Sequence, residues 1–75
     1  MENIEALNTL YLAYINRADA LIDLAVGALN GAAALDRDGD DSGAAALRAS
    51  MEGYFDAADL AYTRAAIVRL KLVNS

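Results

Sequence analysis

Asp36-Arg37-Asp38-Gly39-Asp40-Asp41-Ser42-Gly43 is the one place where the polarity of this chain changes sharply. Aspartate, serine and glycine are ordinary turn residues, and the sequence on both sides is apolar and periodic. None of the 75 residues is proline, so nothing obliges either flank to break. The pattern predicts a helix over about 3–35, a loop over 36–42 and a second helix over about 43–73, each about 45–50 Å long. Asn3 or Glu2 can start the first helix. Ser42 reads as the N-cap of the second, with Asp40 and Asp41 near its positive end and Arg69 and Lys71 near its negative end.

Both flanks carry an alternating three-four spacing of apolar residues. In the first helix it runs Ile4, Leu7, Tyr11, Tyr14, Ala18, Leu21, Ala25, Ala28, Ala32, Leu35; in the second, Leu47, Met51, Tyr54, Ala58, Ala61, Ala65, Val68, Leu72. These are seam positions of a heptad pattern. Folding the chain between Gly39 and Asp40 brings Ala32 to Leu47, Ala28 to Met51, Ala25 to Tyr54, Leu21 to Ala58, Tyr14 to Ala65, Tyr11 to Val68 and Leu7 to Leu72. Small residues mostly meet large ones, as interdigitating layers require. Ala18 opposite Ala61 is the exception and predicts a thin spot. The fold class is therefore all-α, an antiparallel two-helix hairpin.

The seam leaves apolar surface over. On one flank the first helix places Leu12, Ile15, Ile22, Val26 and Leu29, and the second places Phe55, Tyr62, Ala66 and Val73. Leu10 and Leu24 lie on the other flank. Only the row Glu2, Thr9, Asn16, Asp23, Asn30 is consistently polar. A helix apolar around most of its circumference is buried on more than one side, and a hairpin offers each helix one neighbour. The expectation is a homodimer in which two hairpins form a four-helix bundle through that first flank. Arg17 is the partner expected for the Tyr62 hydroxyl.

Size points the same way. Ordering so short a chain costs about 110 kcal/mol at roughly 1.5 kcal/mol per residue. A compact globule of this mass buries about 7,000 Å², which, if ~60% apolar, returns about 105 kcal/mol. Small domains commonly add disulfides or a metal; this one has neither cysteine nor histidine, and self-association is the device left.

The net charge of −5 makes nucleic acid and anionic membranes poor partners and a basic or mixed protein surface a better one. Met1-Glu2-Asn3 opens no signal-peptide pattern, and the unbroken apolar runs are too short to span a bilayer. The expected location is the cytoplasm.

No residue set supports catalysis, and no cofactor is expected. Without histidine or cysteine the common general base and thiol nucleophile are missing. Counted from Asp38, the loop offers oxygen ligands at Asp38, Asp40 and Ser42 and then Gly43, like the first half of an EF-hand, but Ala49 stands where the bidentate glutamate belongs. A capping turn explains the same residues. Gly27 and Gly31 form a G-x-x-x-G, read as close backbone packing near the turn. Asp19 with Asp23, and Glu52 with Asp56 and Asp59, make acidic helix faces. Leu60 and Ile67 form an apolar stripe on the back of the second helix.

The function that fits is a small acidic protein-binding module that occludes a surface of another protein, with Asp19, Asp23, Glu52, Asp56, Asp59, Leu60 and Ile67 as contact candidates. In size and charge alone, small phage and mobile-element proteins that inhibit a host protein are similar. The alternatives are a scaffold element whose function is self-association, and a weak calcium-binding regulator.

Overall fold

A computed structural model describes residues 3–74. Helix α1 spans Ile4–Arg37 and helix α2 spans Asp41–Val73. They pack side by side along their length into a rod of 57 × 13 × 12 Å. Among the described residues there is no strand.

Asn3 starts α1: its side-chain oxygen accepts from the backbone N–H of Glu5 at 2.8 Å and of Ala6 at 3.3 Å, satisfying donors that the first turn leaves open. Glu2, the other candidate, lies outside the described residues. At the other end the turn is tighter than the loop expected over 36–42. Only residues 38–40 are non-helical. Gly39 has φ +82°, its N–H donates to the Asp36 carbonyl, and the Asp40 N–H donates to the Leu35 carbonyl at 2.9 Å. This pair of backbone bonds around a left-handed glycine is a Schellman closure, which satisfies the last carbonyls of α1. Asp40 then serves α2 directly. Its carboxylate accepts from the Gly43 N–H at 2.9 Å, so Asp40 rather than Ser42 is the N-cap. Ser42 lies inside the first turn of α2. One aspartate both ends one helix and begins the next, so Asp36, Arg37, Asp41 and Ser42 all stay helical.

The register brings a methyl of Leu47 beside Gly31, the neighbour of Ala32; a Cβ added at Gly31 would stand 2.9 Å from it. Every seam residue from Leu7 to Leu72 is buried or half-buried, and only Ile4 at the end of the seam is exposed. Ala18 and Ala61 are 0% and 3% exposed, so the helices close over the position expected to be thin. Gly27 has nothing within 4 Å of where its Cβ would be, so only the Gly31 half of the G-x-x-x-G makes a close approach. The same holds for Gly53, a glycine in mid-helix with no packing reason to be one. Gly53→Ala is therefore expected to raise stability by about 1 kcal/mol through helix propensity, read as a higher denaturation midpoint; a lower midpoint would reveal an unseen constraint there.

Among the described residues the buried core is Leu7, Val68 and eight alanines, and no large side chain is fully enclosed. Alanine permits close helix approach but removes little apolar area from water. The hairpin thus closes its seam while half of its leucine, isoleucine and aromatic residues stay exposed.

Candidate interaction face

Among the described residues, half of the large apolar side chains left exposed lie on one flank, and Ile4, Leu10, Leu24, Leu60, Ile67 and Leu70 lie elsewhere. A spacing of 3.6 residues per turn sets Leu12, Ile15, Ile22, Val26 and Leu29 on one side of the α1 seam. The same geometry sets Phe55, Tyr62, Ala66 and Val73 on the matching side of α2. Ile15 and Ile22 are half-buried, while Ala66 and the larger residues Leu12, Val26, Leu29, Phe55, Tyr62 and Val73 are exposed. Leu29 is 47% and Val73 72% exposed. The whole chain exposes 5164 Å². A compact monomer of its mass exposes about 4,400 Å², so the hairpin shows about 750 Å² more than the size requires. A specific protein interface buries about 800 Å² per partner.

Polar groups frame this flank. Near the turn, Arg48 pairs with Asp36 across the two helices, both well exposed. Such a surface pair contributes little to stability, but it fixes where its charges lie. Near the middle, the Tyr62 hydroxyl donates to the Asp19 carboxylate at 2.9 Å. Asp19, not Arg17, is the partner: Arg17 belongs to the row of Leu10 and Leu24 on the opposite flank. At the far end, Glu5 and Arg69 are exposed on the same flank.

The hydrogen bond to Asp19, with desolvation and the negative charge of that carboxylate behind it, raises the Tyr62 pKa above the usual 10.0. The folded chain favours the neutral phenol, so this contribution is present below the unfolded-state value and is lost as pH rises through the higher folded-state value. Phenolate absorbance against pH should show one tyrosine titrating late, and Asp19→Ala should bring it down. A titration that Asp19→Ala leaves unchanged would mean the bond is not kept in solution.

The acids proposed for partner contact divide into two groups. Asp19, Glu52 and Asp59 border the apolar flank, whereas Asp23 and Asp56 lie on the outermost rows of their helices. All five are exposed. Leu60 and Ile67 sit on the back of α2 at 50% and 52% exposure, with Leu70 beside them. The structure thus does not bring these candidates into one site. Asp38, Asp40 and Ser42 do not form a calcium loop, because residues 41–49 are helical where an EF-hand would still be loop. Among the described residues, no three acidic, histidine or cysteine side chains gather as metal ligands.

One feature of α1 escapes a count of unbroken apolar runs. The helix has 34 residues and an apolar window of mean hydropathy 1.4, of which 17% is buried in the hairpin. By length and composition it could cross a membrane. Asp19, Asp23 and Asn30 interrupt its runs without pulling the mean below that level.

Comparison with protein-family models, with curated proteins and with solved structures finds no match.

Proposed function

We propose that this protein is a protein-interaction module that works as a homodimer, two hairpins joined along the Ile15/Ile22/Phe55/Tyr62 flank into a four-helix bundle. The observation that carries the reading is the apolar flank itself, on a chain that exposes about 750 Å² more than a compact monomer of its mass. Pairing supplies the large-residue core that the alanine seam lacks, in the arrangement that four-helix bundles use. Outside the paired flank the helices carry both signs, Asp23 and Asp56 with Arg17, Arg37, Arg64 and Lys71, and the turn and the start of α2 add Asp38, Asp40 and Asp41. Asp23 and Asp56, with the Leu60/Ile67 stripe, then remain free to occlude a basic or mixed surface of a second protein, and the cytoplasm is the compartment that goes with this reading.

Self-association couples folding to concentration. Thermal unfolding followed by circular dichroism over a hundredfold range of chain concentration should show a midpoint that rises with concentration. A midpoint independent of concentration would overturn the homodimer.

The hydropathy of α1 favours a second reading, insertion into a membrane. Two carboxylates oppose it, each costing about 3 kcal/mol near the bilayer centre. Inserting α1 would also strip it from α2, which carries Arg48, Glu52, Asp56, Asp59, Arg64, Arg69 and Lys71 and could not follow it. Flotation with neutral phosphatidylcholine vesicles separates the two: the chain stays with the aqueous fraction if the dimer reading holds, and floats if α1 inserts.

A further inference from the structure

We infer that the two copies dock with their turns at the same end of the bundle, each α1 lying over the partner's α2. The inference rests on the homodimer reading and adds its geometry. Two hairpins can meet face to face about a two-fold axis in two ways. If the axis runs along the rods, the turns coincide and α1 covers the partner's α2. If it runs across them, the turns are at opposite ends and α1 covers the partner's α1.

The charges at the ends of the flank choose between these. On this flank α1 carries acids only, Glu5 near the termini and Asp36 near the turn, while the bases are both on α2, Arg69 near the termini and Arg48 near the turn. With the turns together, Glu5 faces the partner's Arg69 and Asp36 faces the partner's Arg48. The Asp36–Arg48 pair of each hairpin then becomes part of a ring of four alternating charges. With the turns apart, Glu5 faces the partner's Asp36, and Arg48 comes close to the partner's Arg69. Like charges then meet at both ends. The other acids on this flank do not discriminate: Asp19 and Asp59 come near another acid in either arrangement, and Glu52 stands opposite apolar residues of the partner in both, about Val26 with the turns together and about Ala66 with the turns apart. Unlike pairing steers partners and fixes register, and like-charge juxtaposition rejects the alternative.

The chain has no native cysteine, so a single nitroxide can be placed on Asp38→Cys in the exposed turn and its distance to the partner's label read by pulsed dipolar spectroscopy. With turns together, helix spacings of about 10 Å and two label arms give about 30 Å or less. With turns apart, the separation approaches the 57 Å length of the rod, and that result overturns the inference. Asn74→Cys at the opposite end of the rod repeats the measurement should the turn variant perturb folding, with the same short distance expected. A folded sample with no dipolar signal and the mass of one chain would instead remove the homodimer reading beneath it.

Discussion

Ile22→Asp should dissociate the protein into single hairpins. Ile22 lies at the middle of the apolar flank, half-buried against its own hairpin, and a two-fold dimer places the substitution in both copies. Losing the burial of two isoleucines costs about 4 kcal/mol, roughly a thousandfold in the dissociation constant. A carboxylate held in an apolar interface adds to that loss. The change should be read by sedimentation as a shift to the mass of one chain at concentrations where the parent is paired. Leu60→Asp supplies the contrast. Leu60 is as exposed as the flank residues, at 50%, but lies on the back of α2, so self-association should be unaffected. If the two substitutions act alike, the flank is not the interface.

Ala61→Leu should destabilise the hairpin by about 2 kcal/mol, lowering the melting midpoint by roughly 10 °C. Ala61 and the facing Ala18 are both shut off from water, and three additional carbon atoms between them must push the helices apart. The strain would spread to Ala58 and Ala65, which depend on the same close approach. Ala49→Leu adds the same atoms on an exposed row and should leave the midpoint nearly unchanged. Equal effects from the two would mean that the seam does not run through Ala61.

Much of the hairpin is legible in the sequence because two independent signals agree on it. The polar stretch around Gly39 places the turn, and the three-four spacing on each side places the seam, so the facing pairs follow once the fold point is chosen. The details that are not legible depend on interactions that composition does not encode. The turn contracts to residues 38–40 through backbone bonds to the Leu35 and Asp36 carbonyls, and Asp40 takes the capping role that Ser42 is equally suited to by residue type. Gly31 and Gly27 look equivalent in the motif, yet only Gly31 meets a side chain, because Leu47 extends over one of them and not the other. The partner of Tyr62 is legible after all. Its row and that of Asp19 share a flank, and the row of Arg17 does not.

The interaction face is legible in the same way, as an apolar surplus over what one seam can hide. Its partner is not, since burial requires only a complementary apolar surface and many proteins have one. What the structure adds is the smallness of the core that the hairpin makes alone. Among the described residues, eight alanines, Leu7 and Val68 leave Phe55, Tyr62 and six leucines at 37% exposure or more, and a second copy is the simplest surface that matches by symmetry those that share the flank.

Sedimentation equilibrium of the unaltered chain at micromolar concentration tests that claim most directly. The expected mass is about 16 kDa, two copies of the 7.9 kDa chain. A fully helical, cooperatively melting species of 7.9 kDa would contradict it, since one rod would then be stable with its apolar flank in water.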